Sequence, residues 1–260
     1  MRPSLSREEQ LGAYFRTLYA HWGAQHWWPG KTQFEVIVGA YLTQNTAWIN
    51  VERALGNLRR AKVLSMKGIR EVPLDGLELL IRPSGYFRQK ARRLKTFVGF
   101  VDRNYGGSLK KMFAQPTSVL RDQFLSLNGV GPETADSILL YAGNLPVFVV
   151  DAYTRRILER HGIVSAKATY DEIRELFESA LSKVVQDEES KPLEARSKME
   201  FGPAGTAHRP SPMSTARRTA LVQVYNEMHG LIVGVGKNYC RKSQARCDQC
   251  PLRIFLPDVH

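Results

Sequence analysis

The sequence predicts an all-α fold, and three observations carry that prediction. Apolar residues recur at helical spacing along most of the chain, helix-start signals precede several of these stretches, and no series of alternating strands is found. Ser6 with Glu9 forms a capping-box pattern that opens the first helix. Phe34, Ile37, Val38, Tyr41 and Leu42 share one face of a second. Phe87, Ala91, Leu94, Val98 and Val101 make an amphipathic stripe at i, i+4, i+7, i+11 and i+14. Tyr170, Ile173, Leu176, Phe177 and Leu181 repeat the pattern, as do Leu221, Val224, Tyr225, Met228, Leu231, Ile232 and Val235.

Charge narrows the function. The chain has 260 residues with 37 Lys and Arg against 25 Asp and Glu, a net +12 and a pI near 9.8. A chain this basic is expected to meet a polyanion, of which nucleic acid is the commonest. The N-terminus lacks the apolar stretch of a signal peptide, and runs such as Val147–Val150 are too short to span a bilayer. The three cysteines fall within eleven residues, an arrangement better suited to a metal than to disulfides. The expected location is therefore the reducing cytoplasm. The stretch from Ser84 to Lys111 holds eight Lys or Arg residues and one acid, Asp102. Arg88, Lys90, Arg92, Arg93 and Lys95 are placed either to track a phosphate backbone or to form a solvated face.

One segment departs from the helical pattern. Residues 186–216 contain four prolines, four serines, two glycines and a single aromatic, Phe201. That composition buries too little apolar surface to offset chain entropy, so a flexible insertion between core helices is expected.

The stretch Leu127–Asp136 is the most informative. An apolar helix (Val119, Leu120, Phe124, Leu125) runs into Gly129-Val130-Gly131, and Pro132 then opens a second helix at the position where a missing N–H costs nothing. Two glycines permit a tight turn and a close approach to a ligand, while the free N–H groups of the new helix favour an anion. Eighteen residues beyond Glu133, Asp151 ends the apolar run Val147–Val150. It is placed either as a plain N-cap, worth about 1 kcal/mol, or as a carboxylate whose field stabilises a developing positive sugar.

Together these segments resemble the endonuclease III superfamily of helix-hairpin-helix DNA glycosylases, over about Phe34 to Cys250. The resemblance implies a two-lobed helical fold in which Gly129 and Gly131 hold DNA phosphate and Asp151 drives glycosidic cleavage. It implies one lobe from 1–30 and 160–239, a central lobe from 31–159 with the hairpin at 118–143, and a cysteine loop at 240–260. Bifunctional members carry a lysine two residues after the second hairpin glycine; here that position is Glu133. A carboxylate cannot form an imine, so a monofunctional enzyme is expected, with water attacking C1′.

Two further stretches bear on the base. His26-Trp27-Trp28-Pro29 and Leu42-Thr43-Gln44-Asn45-Thr46-Ala47-Trp48 resemble segments of the 3-methyladenine DNA glycosylase III subfamily. The resemblance implies a base pocket lined by Trp27, Trp28, Pro29, Trp48 and Glu133. Gln44 and Asn45 are amides able to fill the gap left by a flipped nucleotide, or else to cap a helix end. N3-alkylated adenine is cationic, and a cation over an aromatic face gains about 0.5–2 kcal/mol. The competing expectations are a glycosylase for oxidised or mismatched bases and a non-enzymatic hairpin protein. The expected partner is double-stranded DNA with a damaged base, bound by a monomer.

Cys240, Cys247 and Cys250 are spaced C-x6-C-x2-C, the spacing of the superfamily's [4Fe–4S] loop, but Leu256 stands at the fourth cysteine position. Asp258, His260 or water as a fourth ligand, zinc on three cysteines with His260, and a metal-free arm all remain open.

Overall fold

The computed structural model describes residues 5–190 and 208–256. Among them the helices are α1 (Arg7–Trp22), α2 (Gln33–Thr43), α3 (Trp48–Arg60), α4 (Met66–Glu71), α5 (Leu74–Ile81), α6 (Phe87–Tyr105), α7 (Leu109–Phe113), α8 (Thr117–Leu125), α9 (Pro132–Ser137), α10 (Ala152–Arg160), α11 (Tyr170–Ser190) and α12 (Ala220–Asn238). The described residues form no sheet; an isolated antiparallel bridge joins Cys240 to Ala245. The all-α expectation holds. None of the described helices is long and apolar enough to cross a membrane.

The chain divides into two compact units, Met1–Pro29 with Pro146–His260, and Gly30–Leu145. The second junction falls earlier than the expected residue 159. Residues 146–159 stay with the terminal unit because α10 packs on α12. The cysteine segment is likewise part of that unit.

In the terminal unit α12 is the central helix, packed by α1, α10 and α11. Its predicted stripe is buried from Val224 to Val235, but so are Asn226, Glu227 and His229 on its other faces. α1 starts as predicted: the Ser6 hydroxyl accepts from Glu9 N–H at 3.2 Å, and the Glu9 carboxylate accepts from Ser6 N–H at 2.7 Å. α11 runs on to Ser190, five residues into the expected insertion. At the other end of that segment Met213 and Ser214 are buried, and His208 N–H donates to Gln25 O at 3.2 Å. Met213 and a serine turn, Ser211 with Ser214, anchor this end to the terminal unit. Residues 191–207 lie outside the described residues.

In the central unit α2 is buried from Phe34 to Leu42 and packs on α3, α6 and α9. Tyr41, Phe97, Phe100 and Phe124 join α2, α6 and α8 through ring contacts of 5.8–6.2 Å. Arg121 of α8 reaches the fully buried Asp136 of α9 with Nε–Oδ1 at 2.7 Å and Nη2–Oδ2 at 3.1 Å. This bidentate ion pair fixes the two hairpin helices against each other. A π-helical turn, Ile138–Ala142, continues α9.

Candidate active site

In the terminal unit the buried run Val147–Val150 delivers the carboxylate. Phe148 N–H donates to Glu178 Oε1 at 2.9 Å, Val150 N–H donates to the Tyr170 hydroxyl at 3.3 Å, and the Phe148 ring stacks on Phe177 at 4.2 Å. These contacts satisfy an extended backbone that has no sheet partner. Asp151 then caps α10. Its Oδ1 accepts from Thr154 N–H at 2.7 Å and from the Thr154 hydroxyl at 2.9 Å. Its Oδ2 lies 3.6 Å from Nε2 of His229, and the carboxylate is 12% exposed. Burial pushes this carboxyl upward, but the nearby His229 ring, with the two Thr154 bonds, outweighs it and leaves it below the ordinary value. Asp151 is thus ionised at neutral pH.

The Trp27-Trp28 segment lies on the other side of His229. The Trp27 ring is 5.9 Å from His229, 5.7 Å from Trp28 and 5.2 Å from His208, and Lys237 Nζ stands 6.0 Å from it. Trp27 Nε1 is buried without a hydrogen-bond partner. Trp28 is buried and Pro29 half-buried. A buried carboxylate holds the segment in place. Glu227 accepts from Gln25 N–H at 2.5 Å and from Gln223 Nε2 at 2.8 Å, with His26 N–H adding a further bond. Burial pushes Glu227 up to about 7. Gly230 leaves room for the same segment, since a Cβ there would stand 2.9 Å from Gln25 Cβ.

The other predicted residues belong to the central unit. Gly129 has φ +76°, in the region that favours glycine, whereas Gly131 has φ −92° and open space around its Cα. Glu133 is exposed in the first turn of α9. Trp48 is half-buried at the start of α3. Gln44 is held by the hairpin: its amide donates to Gly129 O at 3.0 Å and to Thr134 Oγ1 at 2.9 Å, and accepts from Arg93 Nη1 at 2.6 Å. Asn45 is exposed with φ +53°.

Lys90 requires correction as a DNA contact. It is 1% exposed, and its ammonium donates to Leu42 O at 2.8 Å and Ser84 O at 2.7 Å. Burial, with the nearby Arg93 charge, lowers it to about 8. The helical stripe could not separate Lys90 from its neighbours, because one carbonyl at α2's end and another in the turn before α6 draw it inward. Arg88 and Arg92 are exposed, whereas Lys95 bonds to Arg70 O at 3.0 Å and to Val72 O.

The cysteine segment is tied down by arginines of α10. Arg156 Nε donates to Cys240 O at 2.8 Å, and Arg160 donates to Arg241 O at 2.7 Å and Lys242 O at 3.1 Å. Cys240 is buried, Cys250 partly so and Cys247 exposed. Burial raises the Cys250 thiol, and the Cys240 and Cys247 thiols add to that. Among the described residues no three His, Cys, Asp or Glu side chains are grouped as metal ligands. Three thiols with Leu256 at the fourth position do not match a four-thiolate cluster.

An all-α chain with a glycine hairpin and a capped, ionised aspartate beside paired tryptophans defines a class of base-excision repair protein. Residues 38–183 match the HhH-GPD superfamily of base excision DNA repair proteins, and the chain belongs to that superfamily as a DNA repair glycosylase. It is 41% identical to a Methanocaldococcus jannaschii protein provisionally named a DNA repair glycosylase, over 95% of this chain and 96% of that one. Endonuclease III of Bacillus subtilis is 24% identical over 84% of this chain and 78% of its own length. Among solved structures, H. pylori 3-methyladenine DNA glycosylase bound to 1,N6-ethenoadenine matches with a TM-score of 0.70 and 28% identity, over 90% of this chain and 98% of that one. The 3-methyladenine DNA glycosylase III subfamily is the branch that the chain resembles.

Polar residues inside the apolar run of α12 are what the sequence reading passed over. Glu227 and His229 interrupt Val224–Val235, and an acid and a histidine in a buried helix are themselves a signal.

Proposed function

We propose that the chain is a monofunctional DNA glycosylase that hydrolyses the N-glycosidic bond of a flipped, alkylated purine in double-stranded DNA. The single observation that carries this reading is Asp151, a buried carboxylate kept below its ordinary pKa whose neighbour His229 abuts the Trp27 ring. As the base departs with the bonding electrons, positive charge grows on the deoxyribose, and a fixed carboxylate in a low-polarity site stabilises it. Water then adds at C1′ and loses a proton, leaving an abasic site. An ionised Asp151 cannot supply a proton to the base, which fits a leaving group that is already cationic. Trp27, with Trp28 and Pro29, supplies an aromatic wall for such a base. Trp48 and Glu133 are further proposed base contacts, and Gly129, Gly131, Arg88 and Asn45 meet the DNA in this reading; Gln44, expected there too, instead braces the hairpin through Gly129 O, Thr134 and Arg93.

Glu133 in place of a lysine supports hydrolysis without strand cleavage. Lys237 near Trp27 is the amine that could contradict it. Borohydride trapping on damaged duplex decides the point: no covalent adduct is expected. A [4Fe–4S] cluster on Cys240, Cys247 and Cys250 would need a fourth ligand from residues outside those described or from solvent, and iron content of the purified protein measures it. The glycosidic step does not draw on it.

The deciding experiment is base release from methylated duplex DNA by the wild type and Asp151→Asn. Asparagine keeps the helix cap but not the charge, so release should fall by orders of magnitude while duplex affinity persists. Faster release of a neutral oxidised or mismatched base than of 3-methyladenine would overturn the alkylpurine assignment. No release from any lesion would leave a DNA-binding module.

A further inference from the structure

We propose that His229 is the positioning residue for Asp151, with its Nε2 steadying the second carboxylate oxygen while its ring abuts Trp27. The inference rests on the reading of Asp151 as the catalytic carboxylate.

Asp151 Oδ1 is fixed by both donors of Thr154. A carboxylate tethered through one oxygen still turns about its terminal torsion, which is soft. The second oxygen faces α12, where His229 Nε2 stands 3.6 Å from Oδ2, a close polar contact just beyond hydrogen-bond length. His229 is 4% exposed, and its ring meets Trp27 at 67° and Phe148 at 81°, both edge-to-face. Its neighbours along α12, Met228, Leu231 and Ile232, are fully buried and apolar. An imidazole there costs desolvation that a leucine would not, unless a polar partner offsets it, and Asp151 is such a partner. The Phe148 contact matters as well, because Phe148 lies on the run that delivers Asp151. One side chain therefore joins the carboxylate, the strand-like run behind it and the tryptophan that walls the proposed base slot. An error of about 1 Å in placing a reacting group can cost 100-fold in rate, so a loosened Asp151 should slow base release without weakening DNA binding.

The test is single-turnover base release from methylated duplex DNA, with duplex affinity and melting temperature measured beside it. His229→Leu should slow release on the order of 10- to 100-fold with affinity within about twofold. His229→Gln places an amide nitrogen where Nε2 stands and should stay within about threefold of wild type; His229→Asn is one methylene shorter and should resemble His229→Leu. A merely structural histidine would not separate Gln from Asn. Equal rates for Gln and Asn, or wild-type release by His229→Leu, overturn the proposal. If His229→Leu melts below the assay temperature, the Gln–Asn comparison alone decides. Asp151→Asn separates the two levels of inference. Wild-type release by that variant defeats the reading of Asp151, whereas an inactive Asp151→Asn beside a fully active His229→Leu defeats only the role of His229.

Discussion

The Arg93 guanidinium lies so close to the Cα of Gly129 that a Cβ there would overlap it. The same arginine donates to Gln44, whose amide donates back to Gly129 O. The first hairpin glycine is thus required by its φ of +76°, while the flexible Arg93 end is the group that would have to move for a Cβ. The second glycine is not: Gly131 has an ordinary φ, and no atom lies within 4 Å of where its Cβ would stand. Gly129→Ala should therefore cost about 1–3 kcal/mol through backbone strain and should loosen the Arg93–Gln44 bond. Gly131→Ala should melt like wild type. If the hairpin approaches phosphate through Gly131, that variant should nonetheless bind duplex DNA several-fold more weakly. Melting temperatures and duplex affinities for the two variants test the split; wild-type affinity in Gly131→Ala would remove this glycine from the DNA interface.

Salt dependence separates the basic residues of α6. An exposed cation on a phosphate contributes about one counterion to the slope of log affinity against log salt. Arg88 and Arg92 are exposed and Lys90 is buried on two carbonyls. Arg88→Ala and Arg92→Ala are each expected to lower the slope by about 1. Lys90→Met should leave the slope unchanged and lower the melting temperature, because Leu42 O and Ser84 O lose their donor. A reduced slope in Lys90→Met would restore Lys90 to the interface.

Much of this was legible in sequence. The Ser6–Glu9 capping box places the start of α1, and helical stripes place α2, α6, α11 and α12, since burial of one face leaves a period of about 3.6 residues. The hairpin glycines and Asp151 could be read because turn and cap chemistry demands few residue types. What remained hidden depends on contacts between distant segments. No local pattern reveals that Lys90 points to the end of α2, that Gln44 is engaged by Arg93, or that Glu227 secures Gln25 and His26. Composition likewise gave no sign that Met213 and Ser214 are buried near the end of 186–216.

Glu227 gives the terminal unit a pH dependence. Its carboxyl is pushed from the ordinary 4.5 up to about 7 by burial. Between those values the folded chain keeps a proton that the unfolded chain has lost. The stability it contributes is full below the unfolded value and is lost as pH rises through the folded one. Glu227→Gln stays neutral throughout and can still accept from Gln25 N–H. Relative to wild type, the variant should gain stability between about pH 5 and 8, by up to about 3 kcal/mol. Thermal melts across that range test this; parallel pH profiles for the two proteins would show that Glu227 does not titrate there.

Thr154 acts on the opposite sign. Burial favours the neutral form of Asp151, but His229 and the two Thr154 bonds prevail and hold the carboxyl below its ordinary value. A depressed carboxyl contributes stability that is present above its unfolded value and lost as pH falls through the folded one. Thr154→Val removes the hydroxyl bond to Asp151 Oδ1 at 2.9 Å and the hydroxyl's long acceptance from Asp151 N–H at 3.4 Å, and keeps the backbone bond at 2.7 Å. The carboxyl should then titrate higher, so the acid limb of base release shifts toward neutral pH. The loss of one hydrogen bond to a charged group costs roughly 1.5–3 kcal/mol at most, and it should be smaller at low pH, where Asp151 is protonated in both proteins. Above pH 7 the rate should fall less than in Asp151→Asn, since the charge survives. An acid limb that does not move in Thr154→Val would mean that the Thr154 hydroxyl does not help hold the carboxylate ionised.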